Sequence, residues 1–391
     1  MRFWLIGLLL LPFQTSPQPY YDFAKAGAGF YGAGREDPDP EGLKSVRIGV
    51  LGPEKDPDGS ELRVGVQVAI DEANRQGGYR GRIPYEMAFR ADDGFWGVVA
   101  SRVVDLAYED RVWTIIGGLD GQRTHIAELV VAKAWVPVVS PWASDSSVDY
   151  ANVPWVFRCA PADSSQVDVL VRYLKKRGLK NIVALTEIER EAHTGYKRLD
   201  ERLEKERLPL AAHLQYPRFD PSQVVPRVAE FSPDAVLVWG SARTAIPLIE
   251  ALRSAGIRVP VLGPSAMATR ELAARAASIG DVIVAAPFDL SENSAALDEF
   301  AARFRTKCGS DPSPLACYAY DTARLVVAAI GSAGLNRARI RDALARTTFE
   351  GITGRIEFDS LRGNVTAPVL MTVKAGRWTK VEPAADASAR K

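Results

Sequence analysis

The chain has 391 residues, which at about 100–200 residues per domain makes room for two or three domains. Apolar residues make up 47% and charged residues 25%, a globular composition that excludes a disordered, collagen-like or multi-span membrane chain. Lys+Arg number 49 against Asp+Glu 48, so the net charge is +1 and the basic excess expected of a nucleic-acid binder is missing. Three cysteines and three histidines are too few for a disulfide scaffold or a Cys/His zinc domain.

Residues 1–13 place one positive charge, Arg2, before about ten apolar residues, too short a run to span a bilayer comfortably. Residues 1–19 read as a signal peptide or an uncleaved N-terminal anchor. Export permits a Cys308–Cys317 disulfide with Cys159 left over; two buried free thiols fit equally well. Residues 20–45 form a Pro/Gly-rich arm. Its Gly27-Ala28-Gly29-Phe30-Tyr31-Gly32 run spells GxGxxG, but no apolar strand precedes it, and Pro38 and Pro40 follow where a helix should run. No cofactor is expected.

From residue 46 apolar runs alternate with amphipathic segments. Residues 46–51 predict a strand, and 60–76 a helix capped by Ser60 and ended by Gly77-Gly78. Strand 84–91, helix 97–109, strand 113–117, helix 124–134 and strand 136–140 follow. After 154 come strand 181–186, helix 196–206, strand 210–216, helix 222–231, strand 235–239 and helix 243–255. Strands at 259–263 and 281–286 precede helices at 294–307, 314–332 and 337–346, and strands 354–358 and 368–374 close the pattern. Apolar strands between amphipathic helices predict an α/β fold with parallel sheets covered on both faces. The strands are too many for one sheet, so two doubly wound lobes with a ligand cleft between them are expected.

A search for catalytic chemistry returns little. The chain lacks a serine nucleophile elbow, HExxH, CxxC and GxxxxGK[ST]. His125 and Glu128 read as the solvated face of a helix. Glu187, Glu189, Glu191 and His193 crowd one stretch, but their spacing fits no metal site. The strand-end loops 117–124 and 140–145 look like a recognition surface. Small residues let backbone N–H groups approach a ligand, a helix start favours a carboxylate, and Ser140, Trp142 and Asp145 bring a hydroxyl, an indole and a charge.

The runs Ile48-Gly49-Val50-Leu51-Gly52-Pro53 and Gly65–Asn74, followed by Gly77-Gly78, resemble the start of type I periplasmic binding proteins of the leucine/isoleucine/valine-binding branch. Asp92-Asp93, Ile115-Ile116-Gly117, Pro137–Pro141, Phe157-Arg158, Pro233–Val236, Gly263-Pro264 and Tyr320-Asp321 keep that family's order, so the likeness covers about 46–382. The resemblance implies lobe one at 46–160 plus 287–348, lobe two at 161–286 plus 349–382, three hinge crossovers, and a tail at 383–391. It also implies an exported monomer that closes on a small-molecule ligand and delivers it to an ABC-type membrane permease, with no nucleic acid and no catalysis. A ligand-sensing receptor of the same fold is the alternative.

By the same resemblance, Leu119-Asp120-Gly121 and Trp142-Ala143-Ser144 hold a ligand carboxylate. Gly121 stands where such proteins commonly have a serine, and Ser265 where amino-acid binders place an acid for the ammonium. Asp58 or Asp120 is expected to replace that acid, because an unpaired buried ammonium is costly. His193, Trp239 and Tyr320 are expected to line the cleft, which points to an aromatic or amphipathic solute, with bulk packing as the competing role for the indoles.

Overall fold

The computed structural model describes residue 32 and residues 34–217 and 220–381; the expected signal segment, the glycine-rich run before Gly32 and the tail lie outside the described residues. The first sheet contains β1 (Val46–Gly52), β2 (Tyr85–Ala91), β3 (Ile115–Gly117), β4 (Val138–Ser140) and β5 (Val156–Arg158). Its order is β2-β1-β3-β4-β5, parallel throughout. The second sheet uses β6 (Ile182–Glu187), β7 (Leu210–Tyr216), β8 (Ala235–Trp239), β9 (Val261–Gly263), β10 (Val282–Ala286), β13 (Val369–Lys374) and β14 (Arg377–Lys380). Its order is β14-β13-β10-β9-β8-β6-β7, and only the β13 and β14 edge is antiparallel. A hairpin of β11 (Thr348–Gly351) and β12 (Gly354–Glu357) stands apart.

Helices cover both faces of each sheet, which is why the strands read as nearly unbroken apolar runs. In lobe one, α1 (Pro57–Arg75), α7 (Ala295–Cys308) and α8 (Pro314–Ala333) bury Leu62, Val66, Phe300 and Val326 against one face. On the other face, α2 (Trp96–Val104) and α3 (Gly121–Ala134) bury Val103, Ala127 and Val131. In lobe two, α4 (Asp163–Arg177) and α5 (Arg190–Lys205) place Leu170, Leu174, Leu199 and Leu203 on one face, and α6 (Ala242–Ser254) places Ile246, Ile249 and Leu252 on the other. Helix α9 (Arg337–Arg346) joins the lobe-one core through Ile340 and Leu344.

Several boundaries differ from expectation. Helix α1 starts at Pro57, and its cap is Asp56, whose carboxylate accepts the Asp58 N–H at 3.0 Å; Ser60 lies inside the helix. Helix α5 begins at Arg190 rather than 196, so Glu191 and His193 belong to its first turn. Strand β5 and helix α4 were not expected as elements. The hairpin packs on lobe one: Asp321 of α8 accepts the Ile352 and Thr353 N–H groups at 3.1 and 2.8 Å, and Ile356 and Phe358 join the lobe-one core. The chain therefore leaves lobe one after residue 358, not at 348.

Three segments connect the sheets: 159–162, 287–294 and 359–368. The first and third run side by side, the Asn364 N–H donating to Arg158 O at 2.9 Å and its amide to Cys159 O at 2.7 Å. Arg158, 1% exposed, braces this hinge by donating from Nε to Asp149 Oδ1 at 3.0 Å.

Candidate functional site

In open parallel sheets, ligands collect beyond the strand ends where strand order reverses. In lobe one that point lies between β1 and β3, and in lobe two between β6 and β8. The chain leaving these strands starts α1 and α3 in one lobe and α5 and α6 in the other. The two switch points face each other, and side chains reach across.

Four contacts define the facing surfaces. The Gly121 N–H, at the start of α3, donates to Glu191 Oε1 of α5 at 2.7 Å. Arg190 Nη1 donates to Asp145 Oδ2 at 2.6 Å. Arg198, two turns along α5, lies over the Tyr150 ring with its guanidinium 5.2 Å from the centroid. Near the other end of the cleft, Arg270 of lobe two donates to Pro312 O at 2.6 Å and pairs with Asp311 at 3.1 Å.

Asp58 lies in the first turn of α1. Its carboxylate is solvent-exposed, yet surrounding protein raises its pKa; neighbouring Asp56 adds to the rise and Arg243 of α6 opposes it. Arg243 is exposed, with no ion pair among the described residues, and its positive charge is near enough to Asp58 to oppose the rise from the other lobe.

Asp120 caps α3, its carboxylate accepting the Arg123 N–H at 2.7 Å and pairing with the Arg123 guanidinium. That occupation argues against Asp120 as an ammonium partner. Gly121 has no room for a side chain, because an added Cβ would overlap the Asp145 carboxylate. Leu119 is half-buried against the lobe-one core. The Ala143 N–H is taken by the Ser140 hydroxyl at 3.1 Å, so it is not free for a ligand. Ser144 is half-buried, and its carbonyl accepts the Asp163 N–H at 2.7 Å. Trp142 remains partly exposed and packs on Tyr318 with centroids 6.1 Å apart. Ser265 is half-buried and donates its N–H to Gln166 Oε1 at 2.8 Å.

Three expected cleft residues are placed elsewhere. Trp239 is 5% exposed in the lobe-two core, with its indole lying where a Cβ on Gly195 would go; it is bulk. Tyr320 stacks on Phe300 at 4.4 Å and donates to Glu72 Oε2 at 2.6 Å, on the α1–α7–α8 side of lobe one. His193 is two residues from Glu191, hence about 200° around the helix at 100° per residue, and faces away from lobe one.

The His125–Glu128 pair is not a solvated face either. His125 Nδ1 lies 2.6 Å from Glu128 Oε2 and Nε2 2.8 Å from Ser147 Oγ, with Glu128 buried. Among the described residues no group of three or more His, Cys, Asp or Glu could hold a metal.

Carboxylates dominate the electrostatics. Burial, then Asp120 and Asp145, push the Glu191 carboxyl up to about 7. Asp92 is fully buried with no hydrogen bond to either oxygen, 3.4 Å from Arg123 Nε, and burial pushes it up to about 6. Burial alone would also raise Asp145, but the Ser147 hydroxyl and N–H and Arg190 hold it below the usual range. Glu187, at the end of β6, accepts from Thr244 Oγ1 at 3.0 Å and the Ser241 N–H at 3.2 Å, fixing the start of α6. In the sequence Asp145 stood out as the charge of the 140–145 loop and Asp92 as part of the Asp92-Asp93 motif, whereas Glu187 and Glu191 showed only as acidic crowding after a strand.

No curated protein matches the chain. Among solved structures, a branched-chain amino acid transporter substrate-binding protein from Streptococcus pneumoniae, in complex with isoleucine, is 24% identical. It superposes with a TM-score of 0.74 over 87% of this chain and 100% of its own. A solute-binding protein of an ABC transporter from Rhodopseudomonas palustris, in complex with 3,4-dihydroxybenzoic acid, is 18% identical with a TM-score of 0.75, over 89% of this chain and 100% of its own. Another from R. palustris, in complex with benzoate, is 18% identical with a TM-score of 0.74, over 86% and 95%. These likenesses support the two-lobed fold. The family model described as periplasmic binding protein matches residues 45–377, and the chain belongs to that family.

Proposed function

We propose that the protein is an exported solute-binding protein that captures a small organic molecule between its lobes and presents the closed form to an ABC-type permease. The observation that carries this reading is the facing pair of switch points, with Asp58 and the Gly121 turn on one side and Glu191 and Arg243 on the other. Binding rather than turnover is the reading, in keeping with the periplasmic binding protein family, although Ser147, His125 and Glu128 do align a hydroxyl with an imidazole and a carboxylate. Residues 1–19 are proposed as the export signal or an anchor, and the protein as a monomer.

The solved relatives hold isoleucine, benzoate and a dihydroxybenzoate. All three ligands join a carboxylate to an apolar body. Here the partly exposed Trp142, backed by Tyr318, supplies an apolar wall. Arg243 supplies a cation for a carboxylate, and Asp58 an acceptor for an ammonium or hydroxyl. Native mass spectrometry of the purified protein with leucine, benzoate, 3,4-dihydroxybenzoate and their amides tests this. A stoichiometric adduct with one class supports the reading; the bare mass with every compound contradicts it.

A further inference from the structure

The start of α3 is already filled. Helix N-termini attract anions because their first N–H groups lack intrahelical partners and the helix dipole is positive there. In this 14-residue helix the N–H of Gly121 points at a carboxylate that comes from the opposite lobe, that of Glu191. Asp145 crowds the same turn so closely that position 121 carries no side chain, which leaves the backbone N–H open to that carboxylate. The residue before Glu191, Arg190, binds Asp145. Adjacent side chains of lobe two thus present one anion and one cation to complementary groups of lobe one.

We propose that Glu191 is a specificity-determining residue, an internal anion that occupies the α3 terminus in the solute-free protein and must leave before a solute carboxylate can sit there. The idea deepens the solute-binding reading, but its test needs no natural solute. An ionised Glu191 excludes other anions from the slot, and a protonated or absent one admits them.

The groups around Glu191 set its charge. Asp120 and Asp145 repel its ionised form, whereas the Gly121 N–H and Arg190 favour it. The remaining neighbours are engaged elsewhere. Arg123 is held by Asp120 and Asp92, His125 by Glu128 and Ser147, and Glu187 by Ser241 and Thr244. The Glu191 carboxyl itself is pushed up to about 7. Admission of a carboxylate is therefore coupled to proton uptake near neutral pH.

The experiment is an amide-resolved NMR titration of glycine-labelled full-length protein, with acetate as the probe anion. Wild-type Gly121 should shift with a midpoint near the Glu191 value, and in E191Q that titration should vanish. At pH 8, acetate should shift Gly121 in E191Q at least tenfold more than in wild type. An unchanged pH titration in E191Q, an equal acetate response in both proteins, or no acetate response in E191Q would each overturn the proposal. Glycine signals far from the cleft, such as Gly309, report whether the variant is folded. Failure here leaves the solute-binding reading standing, because that reading is judged by solute adducts.

Discussion

Asp145 and Arg190 lie 45 positions apart in sequence and meet at 2.6 Å across the cleft, Asp145 on the lobe-one side and Arg190 at the first position of α5. Asp145 is 1% exposed and also accepts the Ser147 N–H at 2.9 Å, so the pair combines a buried, fixed acceptor with a partly exposed donor. Asp145→Ala should therefore loosen closure and strand Arg190. Small-angle scattering of the solute-free protein should show a larger radius of gyration for the variant. An identical curve would mean that the pair does not hold the lobes.

Asp58 and Arg243 are expected to meet the solute. Once a ligand has been found, Arg243→Ala and Asp58→Asn should each weaken it about tenfold or more, the cost of a lost charge-assisted hydrogen bond. Melting temperature should barely change, because both side chains are exposed. Isothermal titration checks this, and unchanged affinity in both variants would remove the pair from the site.

Trp239 and Gly195 form a packing unit. Gly195→Ala should cost about 1–3 kcal/mol, because a Cβ there overlaps the indole. Trp239→Phe should lower stability while leaving solute affinity within about twofold, since the ring belongs to the core. Urea unfolding and a binding titration separate the two effects. An affinity loss at unchanged stability would return Trp239 to the ligand wall.

Among the raised carboxyls, Asp92 and Asp163 at about 6 and Glu191 at about 7 set the pH dependence of stability towards neutrality. A raised folded pKa means the native state holds the proton more tightly than the unfolded chain, so ionisation costs stability. These groups favour the native state at acid pH and withdraw that support as pH rises through about 6 and 7. Asp145 acts in the opposite sense, losing its contribution only below the normal Asp range. The melting temperature should thus fall between about pH 5 and pH 8, and Asp92→Asn should flatten the fall and gain about 1–3 kcal/mol at pH 8. A melting temperature that climbs across this range would contradict the assignment.

The cysteines are free thiols in the structure. Burial pushes Cys159 up to about 12 and raises Cys317 further, while Cys308 is half-buried. A thiol reagent should label Cys308 rapidly in the native protein and all three after unfolding. A single reactive thiol after unfolding would mean that two of the three are joined, and Cys159 as the labelled one would identify the pair as Cys308 and Cys317.

The layered fold was legible because β1, β6, β8 and β10 are almost wholly buried and therefore almost wholly apolar. Short strands such as β5, three residues long, carry too little pattern to stand out. Site residues were harder for a geometric reason. Sequence placed Gly121, Trp142 and Asp58 near strand ends, but only the helix phase separates Glu191, facing the cleft, from His193, facing away. The Gly121–Glu191 contact joins residues 70 apart, and nothing local announces it. Trp239 and Tyr320 looked available because aromatic side chains serve walls and cores alike; their burial decides for the core.

The most direct test of solute capture is a thermal-shift screen of the purified chain against amino acids, amides, aromatic acids and short fatty acids. A ligand at 100 times its Kd stabilises the native state by about 2.7 kcal/mol. The account predicts a clear rise in melting temperature with one chemical class, cut to about half or less in Arg243→Ala. A flat response across the panel, from protein that melts cooperatively, would contradict it.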